Sequence, residues 1–242
     1  MRYAAVGLTL VACGRFGFDP IAAGRADAAR DVGVDGETDG HTRTAPIFVQ
    51  ADDSSVTATS VAVAFENDVV AGDLLVVAFG TSMEVLASIS DTTGDVFTMM
   101  PVLMTANISP MYVGYTIAGT SAPETVTAAV AGGSDFITLR VHEYASVDAA
   151  TPVDTYVTNT GSSSGIDSIE VDIDTQSANE LVFGYAVSQA MTASAGTGFN
   201  ARSIISMDVT EDQTETMAGT HAVTATNSGS PWAIQVLALF GR

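Results

Sequence analysis

Hydrophobic and polar positions change rhythm twice along the chain. From Ala4 to Ala12 (AAVGLTLVA) the residues are almost all apolar, and from 22 to 44 (AAGRADAARDVGVDGETDGHTRT) neither a 3.6-residue nor a two-residue period is sustained. From Ala45 onward short β-type runs alternate with clusters of Gly, Asp, Ser and Pro. SVAVAF (60–65) alternates, GDLLVVAFGTS (72–82) is continuously apolar between turn residues, and MYVGYTIAG (111–119) carries aromatic and β-branched residues. Strands at this spacing predict an all-β sandwich or barrel, and no segment has the pattern of a long amphipathic helix.

The second half of this region echoes the first. SVAVAF followed by AGDLLVVAF (60–79) is matched by SIEVDI followed by ANELVFGYA (168–186), and TIAGT (116–120) recurs as TMAGT (216–220). GSDFITLRVHEY (133–144) is then matched by GSPWAIQVLALF (229–240), which sets Phe136 opposite Trp232 and Tyr144 opposite Phe240. Four matches in one order indicate an internal duplication. The expected fold is a jelly-roll-like antiparallel β-sandwich at 45–242, built from two related β-units at about 45–158 and 166–242 with the divide near NTGSSSG (159–165). WAIQVLALF is apolar on both faces, so it is expected at the centre of a covered sheet.

Charge narrows the partners. Of 242 residues 28 are acidic and eight basic, all eight of them arginine, giving a formal charge of −20. Such a surface repels phosphate backbones and anionic headgroups, which argues against nucleic-acid binding and electrostatic membrane binding. Residues 13–44, poor in hydrophobes and rich in Ala, Gly and Asp, read as a flexible acidic tether.

The nine-residue apolar stretch is too short to span a bilayer, which takes roughly 20 residues. It follows Arg2 and ends at Cys13, the one cysteine of the chain. Leu10-Val11-Ala12-Cys13 resembles the lipobox of bacterial lipoproteins. That resemblance implies a signal peptide at 1–12, lipidation of Cys13 and attachment to the membrane through the N-terminal lipid. Two or three buried acyl chains, at about 0.8 kcal/mol per methylene, make such an anchor stable. Gly14 differs from the Asp that retains some lipoproteins in the inner membrane, so the outer membrane is the expected location. The β-region resembles sandwich modules of bacterial cell-surface proteins, which implies a structural or binding role toward a surface glycan or envelope protein.

Candidate chemistry is sparse. His142 and Glu143, as strand neighbours, point to opposite faces and make no nucleophile–base pair, so no catalytic residues and no catalytic activity are expected. Arg140, His142 and Tyr144 alternate onto one face and form the candidate ligand stripe, on a half-exposed outer sheet face. Asp91 and Asp95 flank a turn, and Asp172 and Asp174 share a strand face near Asp167. These are the candidate ligands for a structural calcium ion, the one cofactor considered, although neither pair makes a full set of oxygen donors. Trp232, the sole tryptophan, is expected in the core, leaving Tyr112, Tyr115, Tyr144, Tyr156 and Tyr185 as platforms for a sugar. The alternative function is a polysaccharide hydrolase on a jelly-roll scaffold, which requires two carboxylates about 5 to 10 Å apart in a groove.

Overall fold

The computed structural model describes residues 43–189 and 194–242, with backbone alone at 163–168 and 227–230. The first unit consists of β1 (Ile47–Ala58), β2 (Ser60–Ala64), β3 (Leu74–Thr81), β4 (Leu86–Asp91), β5 (Thr98–Met99), β6 (Leu103–Thr105), β7 (Ile108–Ile117), β8 (Thr125–Val130) and β9 (Asp135–Ala145). The second consists of β10 (Val153–Thr175), β11 (Glu180–Ser188), β12 (Ser194–Ala195), β13 (Asn200–Ile205), β14 (Asp208–Glu215) and β15 (Gly219–Leu239). Every strand pairing is antiparallel.

The duplication is visible in the pairing. One sheet runs β1-β9-β3-β7-β5 with β6 also on β7, and the other runs β10-β15-β11-β14-β13 with β12 also on β15. The first unit breaks its long hairpin into two, so that β2-β8-β4 forms a separate sheet. The second keeps it whole, with β10 and β15 paired from Val153–Leu239 to Thr175–Gly219. The chain passes between units at residues 146–152. NTGSSSG (159–165), expected to divide the halves, instead runs inside β10. Its glycine has a packing reason: a Cβ on Gly161 would run into the indole of Trp232.

Three apolar cores separate four layers. Leu75, Val77 and Phe79 of β3 pack with Ile137, Leu139 and Val141 of β9 against Val61, Val126 and Ala128 of the small sheet. The alternate residues Leu74, Val76 and Ala78 meet Leu181, Phe183, Tyr185 and Leu237 of the other unit. On the far side of that second sheet, Val182, Ala186, Ile234 and Val236 pack with Ile169, Ile173 and Val223 from the outer ends of β10 and β15. The two large sheets thus face each other as one sandwich, and each is also covered on its outer face. This is why LLVVAF, ELVFGYAV and WAIQVLALF carry apolar residues on both faces rather than alternating: β15 lies between β10 and β11, as its pattern predicts.

The last of the sequence matches is out by one residue. Leu74 and Leu181, matched by sequence, pair with Tyr144 and Leu239, while Thr81 and Ser188 pair with Ile137 and Trp232. Trp232 therefore takes the place of Ile137, not of Phe136, and a one-residue slip exchanges the faces of a strand. Accordingly Trp232 is 9% exposed in an outer core and Phe136 is 42% exposed.

Candidate functional site

Arg140, His142 and Tyr144 do share a face of β9, but that face is not at the surface. All three are fully buried between the two large sheets, so the expected half-exposed ligand stripe is corrected to an internal seam. Its partners come from β14, whose Asp208, Thr210 and Asp212 alternate in the same way. Arg140 Nη2 donates to Asp208 Oδ2 at 3.1 Å and to the Ile205 carbonyl at 2.7 Å. His142 Nε2 lies 2.8 Å from Thr210 Oγ1, and the Tyr144 hydroxyl donates to Asp212 Oδ2 at 2.9 Å. Each β14 partner is 68 residues beyond its β9 mate, so the two strands advance in step across the interface.

The seam is balanced in charge. Arg202 grips Asp212 with two bonds of 2.8 Å and stacks its guanidinium over the Phe48 ring at 3.7 Å. Two arginines thus offset two aspartates. Burial raises Asp208 to about 6 against the opposing pull of Arg140, and burial pushes His142 down to about 3, so the imidazole is neutral. His142 Nδ1 faces the Val76 carbonyl at 3.2 Å, an acceptor only. Nδ1 therefore carries the proton, and Nε2 accepts from the Thr210 hydroxyl. A neutral histidine with both nitrogens engaged is structural. Glu143 is equally enclosed, accepting from Gln50 Nε2 at 2.5 Å and the Val70 amide at 2.9 Å.

The carboxylates tell a different story. Asp91 and Asp95 meet at the end of β4 and in the loop after it, and the fold adds Glu124, just before β8, with one ligand atom from each within 4.8 Å of the others. Asp91 Oδ1 accepts from the amides of Thr93, Gly94 and Asp95, which leaves Oδ2 without a partner. Asp95 Oδ2 accepts from the Gly119 amide at 3.0 Å, an approach that a Cβ on Gly119 would obstruct by lying 2.7 Å from Asp95 Oδ1. Glu124 is 2% exposed and neither of its oxygens has a partner. Burial first, then the charge of Asp91 and a hydrogen bond with its carboxylate, then Asp95 and Glu143, raise it to about 7. Ionised together at such distances, each pair repels by on the order of 3 kcal/mol.

Asp172 and Asp174 lie elsewhere, exposed on β10, where Asp174 accepts from Thr220 Oγ1 at 2.5 Å. They do not join the triad. Sequence reasoning missed Glu124 because only the β4–β8 ladder, with Asp91 opposite Val126, brings it beside the aspartates.

No protein-family model, curated protein or solved structure matches the chain. Function therefore rests on what the molecule itself presents.

The ends of the sandwich differ. At one end the Thr44 amide donates to the Arg242 carbonyl and Val147 bridges Gly241, so the first and last described residues lie together. The opposite end lies seven residue steps along β3, about 23 Å away. It carries a cleft of about 130 Å³ lined by Thr81, Ser82, Ser109, Phe136, Thr138 and Tyr185, among others. Met83, at 81% exposed, stands beside it in an adjoining shallow groove. The tyrosines considered as sugar platforms do not form one: Tyr112, Tyr144 and Tyr185 are buried and Tyr115 and Tyr156 half-buried. Cys13, the expected signal peptide at 1–12 and residues 13–42 of the expected tether lie outside the described residues. Among the described residues, no helix is long and apolar enough to cross a membrane.

Proposed function

We propose that the chain is a lipid-anchored protein of the bacterial cell envelope, held at Cys13, whose acidic tether displays a non-catalytic β-sandwich with a binding or structural role toward a surface glycan or envelope protein. The observation that carries this reading is the placement of entry point and cleft at opposite ends of the domain. The end of the domain far from Arg43 carries the hydroxyl-lined cleft and the exposed Phe136. Hydroxyl groups around an aromatic edge suit a polyhydroxylated ligand. The burial of Arg140, His142 and Glu143 in hydrogen bonds within the fold supports a scaffold rather than a reaction centre.

Fractionation and protease shaving of intact cells, comparing wild type with Cys13→Ser, test the anchor. Wild type is expected in the outer-membrane fraction and the variant in the soluble one, and identical distribution of the two contradicts the reading. A second reading, a polysaccharide hydrolase, draws on one feature: Glu170 and Asp172 share an exposed face of β10 in a shallow groove with Asn159 and Trp232. Release of reducing ends from a cell-surface polysaccharide, abolished by Glu170→Gln or Asp172→Asn, would decide for it.

A further inference from the structure

We propose that Asp91, Asp95 and Glu124 form a calcium site that staples the loop after β4 to the entry of β8. Three acids near one another do not by themselves make a site. The decisive feature is Glu124, a carboxylate 98% removed from solvent with neither oxygen hydrogen-bonded, directed at two further carboxylates. A buried polar group without a partner is unfavourable unless something satisfies it. The charged groups that bear most on Glu124 are acids, Asp91, Asp95 and Glu143, and the one hydrogen bond open to it is a proton shared with Asp91. None of the ion pairs among the described residues involves the triad. A cation from outside is the partner that this arrangement lacks.

The corresponding place in the second unit sharpens the inference. Phe65 and Ile173 match by sequence; the Phe65 amide donates to the Glu124 carbonyl, and Ile173 pairs with His221. His221 thus stands where Glu124 stands, and it is satisfied within its own unit. Its Nδ1 lies 2.9 Å from Glu215 Oε2, and its Nε2 lies near Thr175 Oγ1 and the Met217 carbonyl. The same topological position is closed by an internal partner in one copy and left open in the other.

The donors define the ion. Asp91 Oδ2, Asp95 and both oxygens of Glu124 are hard oxygen ligands, with no nitrogen or sulfur among them, which suits calcium over zinc. Calcium takes 6–8 oxygens in flexible geometry and accepts a bidentate glutamate, with water completing the shell, whereas magnesium demands a near-ideal octahedron. Three carboxylates from two separate segments make a sparse donor set, of the kind with dissociation constants of about 10⁻⁴ to 10⁻³ M.

The test is calorimetric titration of the purified full chain, stripped with chelator, with CaCl₂ and separately with MgCl₂, alongside thermal melting in each salt. Calcium is expected to bind one to one with a dissociation constant of about 10⁻⁴ M. At 100-fold that concentration it should raise Tm by about 5 °C or more. Glu124→Gln is expected to abolish both effects while melting, without metal, at or above the wild-type temperature, which separates a lost ligand from a damaged fold. Asp95→Asn should weaken calcium at least tenfold. The proposal is overturned if wild type takes up no calcium at millimolar concentration. It also fails if magnesium stabilises equally or Glu124→Gln keeps the calcium shift, since either result signifies counterion screening of a chain with formal charge −20.

Discussion

Two of the polar clusters buried among the described residues are built on opposite principles. Between the units, Arg140 and Arg202 face Asp208 and Asp212, and His142 and Tyr144 each meet a partner, so charge sums to zero. Beside β8, three carboxylates converge and the most buried of them has no partner at all. A satisfied cluster is cement: it fixes one register of two sheets, because sliding either strand by a residue would strand a charge in an apolar layer. A cluster of one sign repels itself, and a cation relieves that repulsion. The stripe that alternation in the sequence singles out for binding is the cement, and the binding candidate lies where the sequence offers only half of it.

Breaking the seam should have the largest consequence. Arg140→Met leaves Asp208 buried without its cation, and loss of one partner of a buried pair costs about 3–5 kcal/mol. Chemical denaturation should register this loss, and the double variant Arg140→Met with Asp208→Leu should recover a large part of it, because it removes both charges together. His142→Leu is smaller. It strands the Thr210 hydroxyl and the Val76 carbonyl and should cost about 1–3 kcal/mol, with no effect on calcium uptake.

Acidity should sharpen the contrast further. Burial raises Glu180 and Glu211 to about 7 and Asp208 to about 6, all above their values in an unfolded chain. Groups shifted this way hold protons in the folded state that the unfolded state has released, so their stabilisation is complete below about pH 4 and is lost as pH rises through 6 to 7. Without calcium, Tm should therefore fall by about 3 °C or more between pH 5 and pH 8. A Tm that rises over this interval contradicts the assignment. The smallest effect belongs to Asp172→Asn and Asp174→Asn, exposed on β10, which should change stability by no more than about 0.5 kcal/mol and leave calcium binding intact.

Much of the architecture was legible in the chain because burial on both faces leaves a mark that burial on one face does not. WAIQVLALF predicts a covered central strand, and the repeated motifs predict two related units. What covers a face leaves no such mark. Arg140, His142 and Tyr144 were correctly placed on one side of a strand, but nothing local reveals that Asp208, Thr210 and Asp212 lie against them. Small polar residues misled at 159–165, where Gly161 makes room for Trp232 inside a strand rather than turning the chain. Of the cation site the sequence offered Asp91 and Asp95, four apart around a turn; Glu124 arrives only through strand pairing across 33 residues, from Asp91 to Glu124.

The claim on which the rest depends is that the seam makes one folding unit out of two copies. Differential scanning calorimetry of the full chain measures this directly. The wild-type domain is expected to melt in a single transition, with calorimetric and van't Hoff enthalpies in a ratio of about 1, and to separate into two transitions when Arg140→Met opens the seam. Two independent transitions in the wild type, or a single unshifted one in the variant, would contradict it.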